Sequence, residues 1–282
     1  MKDLVPRQAD TDRDMVAMWV NRSSSRHTRR NYQRQARAFL AFVDRPLAQV
    51  KVIDVQSYLE SLQGSAPGTR ALAAAAIKSL LTFAHETGYI PFNPGVAVKL
   101  PPVKRTLAER ILSEGEVQRL IHLEPDPRNR MALSLLYAAG LRVAELVGLR
   151  WRDVQPREQA GQLTVFGKGG KTRVILLSPA TWKALMGLGS ETRPDDPVLR
   201  SRKGGPLDTS QVHRLVKAAA RRAGLSGDVS PHWLRHAHAS HALDRGAPIH
   251  LVQQTLGHAS VATTGVYLHA RPSDSSARYL GV

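Results

Sequence analysis

Residues 91–106, PFNPGVAVKLPPVKRT, carry four prolines, and neither a helix nor a central strand runs through such a stretch. The chain of 282 residues must therefore fold as two parts. We expect one over residues 8–97 and another over 106–282, with 98–105 as the linker. At 42% apolar residues, both can bury a core. Both are basic within an overall charge of +17, which excludes an acidic solubilising protein and puts nucleic acid ahead of a membrane surface as partner. Cysteine is absent. A disulfide framework, a thiolate zinc site, an iron–sulfur cluster and a cysteine nucleophile are all excluded. The start, MKDLVPRQADTDRDM, has no secretory pattern, and the greasiest run, Ala71 to Ala84, is broken by Lys78. That run is too short for a membrane span of about 20 residues, so a soluble cytoplasmic protein is expected.

The first part reads as a bundle of four or five helices. Ser23-Ser24-Ser25 can start a helix with Tyr32, Ala36, Phe39, Leu40 and Val43 at spacings of three and four, and Arg29, Arg30, Arg34 and Arg37 on its other side. A second helix is expected from Asp54 as N-cap to about Leu62, and a third from about Gly68 to His85.

The second part is mixed. Ser113-x-x-Glu116 is a capping box, with Leu112 able to staple to Val117. Helices are expected from about Arg128 to Ala139 and from Leu141 to Leu149. Gln162–Phe166 and Thr172–Leu177 are strand-prone and joined by Gly167-Lys168-Gly169-Gly170-Lys171, which predicts a hairpin. Ser178-Pro179 opens another helix, and Asp208-x-x-Gln211 caps one that ends at Gly224. Further helices fit Pro231–Asp244, Ile249–Leu256 and Val261–His269.

Five segments concentrate unusual polar residues: GLRVAE with Arg142 and Glu145, FGKGGKTRV with Lys168 and Lys171, HWLRHAHASH with His232 and Arg235, LGHAS with His258, and TTGVYLH with Tyr267. His232 and Arg235 share a helix face. The histidines at 232, 236, 238 and 241 invite a metal reading, yet no carboxylate or thiolate joins them as in H-E-x-x-H. No metal is expected, and His236 and His241 read as structural. Glu145 can pair with Arg142 on the same helix face and reads as a supporting group. Tyr89, Tyr137 and Tyr279 read as core tyrosines.

Together, in this order and spacing, these segments resemble the tyrosine recombinase (lambda-integrase) family, specifically its short Xer-like members. The resemblance covers nearly the whole chain. It implies a helical, SAM-like core-binding domain plus a mixed α+β catalytic domain, mainly helical with a small hairpin or sheet, closing round DNA as a C-shaped clamp. It implies a site-specific recombinase that cuts through a 3′-phosphotyrosine and exchanges strands through a Holliday junction, with no cofactor. Tyr267 would attack the phosphate, and Arg142 and Arg235 would clamp its oxygens. Lys168 would protonate the leaving 5′-oxygen, and Lys171 would touch the backbone. His232 would assist at the Tyr267 hydroxyl, and His258 would donate to the phosphate. Double-stranded DNA sites, a tetramer on paired sites, and a second recombinase or regulatory protein are the implied partners. The protein would associate with the nucleoid when bound.

Arg29, Arg30, Arg34 and Arg37, and on the helix after Asp208 also Arg214, Lys217 and Arg221, are expected to lie along DNA. Two features depart from the family pattern. His238 stands where many members carry a bulky apolar residue, and only 15 residues follow Tyr267. In that tail Tyr279 and Leu280 are the expected contact to a neighbouring protomer. Two other classes fit less of the pattern. They are topoisomerase-like relaxation of DNA by the same nucleophile, and non-catalytic DNA binding on the same scaffold.

Overall fold

The computed structural model describes residues 8–99, 107–167, 170, 172–189, 193–258 and 260–267. It divides into two compact units, Met1–Arg105 and Thr106–Val282. The fold is mainly helical with one small antiparallel sheet. Among the described residues no helix is long and apolar enough to cross a membrane.

The first unit holds four α-helices among its described residues, α1 (Asp12–Asn21), α2 (Arg26–Val43), α3 (Val52–Ser61) and α4 (Pro67–Glu86). Thr11 and Ser25 cap α1 and α2 by accepting from the amides of Asp14 and Thr28, and Pro67 starts α4 where its missing N–H costs nothing. The helix expected to be capped by Asp54 begins earlier. Lys51 is its N-cap, and Asp54 lies a turn inside, where its carboxylate accepts the Lys51 amide at 2.8 Å. Trp19, Phe39, Ile77, Leu80 and Leu81 are fully buried at the centre. Trp19 stacks on Tyr32 at 4.0 Å and donates to Ser79 Oγ, so its indole N–H is satisfied.

The second unit runs α5 (Glu114–His122), α6 (Pro127–Ala138), α7 (Val143–Gly148), β1 (Val154–Arg157), β2 (Ala160–Phe166), β3 (Thr172–Leu177), α8 (Pro179–Met186), α9 (Thr209–Arg222), α10 (Pro231–Asp244), α11 (Ile249–Leu256) and α12 (Val261–Gly265). The hairpin expected from the sequence is part of a three-stranded sheet in the order β1-β2-β3. The added strand, β1, is short, holds Pro156 and is largely exposed, so it has no alternating pattern to read. Ser113 and Glu116 form the capping box of α5, and Leu112 and Val117 are both buried in the same cluster. Leu141 does not join α7, because Arg142 is its N-cap with extended backbone. Residues 268–282 lie outside the described residues, as do Lys168, Lys171, Tyr279 and Leu280.

Two glycines bring elements together. Gly161 sits against the Trp182 ring, where any side chain would collide. Gly140, at φ +57°, would place a Cβ 2.8 Å from Leu256 and 3.0 Å from the His238 ring. His238 therefore fills the space beside a bare glycine between α6 and α7. Ile111, Ala239, Val252, Leu256 and Tyr267 form a separate small apolar cluster in this unit.

Candidate active site

The site is built on the end of α11. Gly257, at φ +62°, turns the chain out of the helix, and the amides of Gly257 and His258 satisfy the carbonyls of Gln254 and Gln253. Three carbonyls remain at that terminus, which carries the negative end of the helix dipole. Each takes one guanidinium. Arg173 Nε donates to Thr255 O at 2.7 Å, Arg235 donates to Leu256 O at 2.5 Å, and Arg142 donates to Gly257 O at 3.2 Å. Arg235 also donates to Gly140 O.

Glu145 joins two of these arginines. Its carboxylate takes both nitrogens of the Arg173 fork at 2.8 Å, the Arg142 side chain at 2.8 Å and the Arg142 amide at 2.8 Å. Burial opposes its ionisation, but the Arg173 fork and then the Arg142 contacts prevail and hold the carboxyl down at about 2. The Glu145 side chain is 4% exposed, that of Arg173 12% and that of Arg142 35%, so of the two arginines on this carboxylate Arg142 is the one that faces outward. Arg235 is buried, and burial followed by the charge of Arg142 lowers it to about 10. It stays protonated at neutral pH.

Tyr267 is buried, and its hydroxyl lies 2.8 Å from His236 Nδ1. The histidine within hydrogen-bond reach of this hydroxyl is His236, whereas the sequence pointed to His232. Both histidines lie on one face of α10, but His236 is the one beside Tyr267, and the His232 ring lies 6.3 Å from that of His236. Burial raises the Tyr267 phenol, with Arg235 pulling the other way. Burial, then the charges of His232 and Arg235, push His236 down to about 4. His232 is lowered by burial and then by Arg235. His258 is brought down to about 4 by burial and then by Arg235, Arg142 and Arg173. Its ring is parallel to Tyr267, and its Nδ1 lies 2.9 Å from the Oγ1 of buried Thr264. Where the Thr264 hydroxyl donates to Nδ1, neutral His258 carries its proton on Nε2.

The structure thus brings together Arg142, Glu145, Arg235, His258 and Tyr267, with His232 at the edge. Sequence reasoning missed Arg173 and His236. Arg173 did leave a trace: it shares a strand face with buried Ile175 and Leu177, an odd place for a cation. His236 was one helical turn from His232, but its partner lies 31 residues away in sequence.

The helix faces differ from this cluster. Arg29, Arg30, Arg34 and Arg37 are exposed on α2. On α9, Arg214, Lys217 and Arg221 are exposed too, with Lys217 paired to Asp228 at 2.8 Å. Arg222 pairs with buried Glu124 and fastens α9 to the end of α5.

Residues 110–274 match the Phage integrase family, and residues 16–88 match its N-terminal SAM-like domain. Over 266 residues the chain is 33% identical to tyrosine recombinase XerC of Xylella fastidiosa (strain 9a5c), covering 89% of this chain and 88% of that protein. Over 288 residues it is 32% identical to tyrosine recombinase XerD of Pseudomonas aeruginosa, covering 95% and 96%. The fold is shared with a lambda integrase dimer bound to a COC′ core site, at TM-score 0.75 and 21% identity over 94% of this chain and 79% of that one. It is likewise shared with the Tn1549 transposon integrase in complex with circular intermediate DNA, at TM-score 0.75 and 16% identity over 96% and 99%.

Proposed function

The chain belongs to the phage integrase family and is a Xer-like tyrosine recombinase; from that premise we propose how its own residues cut and rejoin DNA. The observation that carries the reading is the cluster itself. Buried, fixed cations stand beside a tyrosine hydroxyl already engaged by an imidazole. Breaking a phosphodiester without a metal needs a nucleophile, positive charge around the phosphate and a proton for the leaving oxygen.

Arg142 and Arg235 hold the non-bridging oxygens, since a guanidinium fork matches them with paired donors. The Tyr267 oxygen attacks phosphorus as its proton passes to His236 Nδ1. The bond from phosphorus to the 5′-oxygen breaks, and Lys168 supplies the proton that this oxygen takes up. His258 Nε2–H donates to a phosphate oxygen. The product is a 3′-phosphotyrosine and a free 5′-hydroxyl. Because one phosphodiester replaces another, the reverse attack by a 5′-hydroxyl of a second strand needs no ATP. Repeated on the other strand pair, the exchange passes through a Holliday junction.

The helical unit, through the arginine face of α2, and the face of α9 add backbone contacts along double-stranded DNA. Four protomers pair two sites, and residues 277–282, with Tyr279 and Leu280, hold the next protomer.

The test is a nicked suicide substrate drawn from the protein's native genomic neighbourhood. The reading predicts a covalent DNA–protein adduct and, with paired sites, recombinant product. An adduct with plasmid relaxation and no recombinant product would favour a topoisomerase. No adduct with tight binding would favour a non-catalytic binder.

A further inference from the structure

We infer that Arg173 is a positioning residue for strand cleavage: by holding both oxygens of Glu145 and the Thr255 carbonyl, it offsets the carboxylate beside Arg142 and fixes the turn that presents His258. This inference rests on the recombinase reading above and deepens it.

Glu145 and Arg142 taken alone would be a neutral pair. Arg142 N–H donors aimed at Glu145 would be lost to a ligand, and the carboxylate would repel the phosphate that Arg142 must attract. Arg173 changes the second fact, while Arg142 keeps its own 2.8 Å bond to Oε1. The Arg173 fork occupies Oε1 and Oε2 of Glu145 at 2.8 Å each, so the three groups together carry one net positive charge. Of the two arginines, the outward one is Arg142. All three nitrogens of Arg173 are engaged, on Glu145 and on Thr255 O. It works by holding its neighbours.

The third nitrogen of Arg173, Nε, reaches Thr255 O, two residues before Gly257 and three before His258. Arg235 and Arg142 take the next two carbonyls. One guanidinium therefore ties the sheet, through β3, to α7 and to the end of α11. The Cβ that Gly257 lacks would lie 3.2 Å from Arg173 Nη1, so the turn and the guanidinium are fitted closely. Lysine cannot make these contacts, because a single ammonium spans neither both carboxylate oxygens nor the carbonyl beyond them. A misplacement of about 1 Å in groups that hold a reacting phosphate costs roughly a hundredfold in rate.

The experiment is single-turnover cleavage of a nicked suicide substrate at saturating DNA, with the dissociation constant measured in parallel. Arg173→Met should cleave roughly a hundredfold more slowly while binding within about threefold of the wild type. Arg173→Lys should recover little of that loss. Adding Glu145→Gln to Arg173→Met should restore roughly tenfold, because an amide no longer cancels Arg142. Loss of packing alone would not be repaired by a second substitution at its partner. If Arg173→Met does not fold, Arg173→Lys and the double variant, which leaves no unpaired buried carboxylate, carry the same contrast against wild type. Cleavage of either variant at the wild-type rate overturns the inference, as does a double variant no faster than the slowest foldable single. An absence of adduct from the wild type itself would instead overturn the recombinase reading.

Discussion

On α2, Arg29, Arg30, Arg34 and Arg37 are exposed, and the bonds seen there are local, from Arg29 to Ser23 O and from Arg34 to Asn31. Around the end of α11, Arg142, Arg173 and Arg235 each hold a backbone carbonyl, and two of them share one buried carboxylate. The residue type is the same and the side chains differ only in what fixes them. An exposed guanidinium keeps its rotamer freedom and its hydration, so it can follow a phosphate backbone but adds little to a rate. A guanidinium held before the substrate arrives has already lost that freedom and offers charge at a fixed point. On the proposed function, the first arrangement supplies affinity and the second supplies chemistry.

The sharpest way to break this division is to remove the nucleophile. Tyr267→Phe should form no adduct on a suicide substrate yet bind DNA like the wild type, since one hydroxyl adds little to a phosphate-dominated affinity. A persistent adduct in that variant would move the nucleophile elsewhere, with Tyr279 next in line. Lys168 and Lys171 sharpen the same point. Lys168→Ala should slow cleavage by roughly two to four powers of ten, and a substrate with sulfur at the 5′-bridging position should recover most of the rate. Lys171→Ala should cost far less. Equal losses without sulfur rescue would remove Lys168 as the acid.

A smaller effect is expected at His236. His236→Leu should lower single-turnover cleavage by about a hundredfold, and His236→Gln, which retains an acceptor for the Tyr267 hydroxyl, should lie between the two. Indifference to both substitutions would return the task to His232. The mildest effect is on stability against pH. His236 and His258 are held down at about 4 in the folded protein, against an ordinary value near 6.5. The unfolded chain therefore binds protons first as pH falls. The stability contributed by their neutral forms is complete above about 6.5 and is lost as pH falls toward 4. Glu145, at about 2, adds a second loss only below its ordinary range. Thermal melts from pH 8 to pH 4 should show the decline, with net proton uptake on unfolding. A flat profile over that range would contradict it.

The elements that the sequence announces are those with local punctuation. Asp208 and Gly224 bracket α9, and α10 and α11 run over the residues their patterns suggest, Pro231–Asp244 and Ile249–Leu256. Cap, period and stop all lie within one turn of the helix they define. β1 escapes because four residues including a proline carry no period. The site is legible as a set of side chains in order along the chain, because guanidinium, imidazole and phenol are conspicuous residue types. What holds them is not legible, since the acceptors are the backbone carbonyls of Thr255, Leu256 and Gly257, which any residue would offer. The partnership of Tyr267 with His236 is invisible for a related reason: it arises where two helices meet.

The most direct test of the division between the two sets of arginines measures binding and chemistry on the same variants. Binding to one site is followed from low to high salt, and cleavage is followed in single turnover at saturating DNA. Replacing Arg29, Arg30, Arg34 and Arg37 together by alanine should flatten the slope of log affinity against log salt by roughly three to four units and leave the saturated cleavage rate within about twofold. Arg235→Ala should change that slope by no more than about one unit and lower the cleavage rate by at least about a hundredfold. The account is contradicted if the α2 variant loses its saturated cleavage rate, or if Arg235→Ala binds poorly yet cleaves normally once saturated.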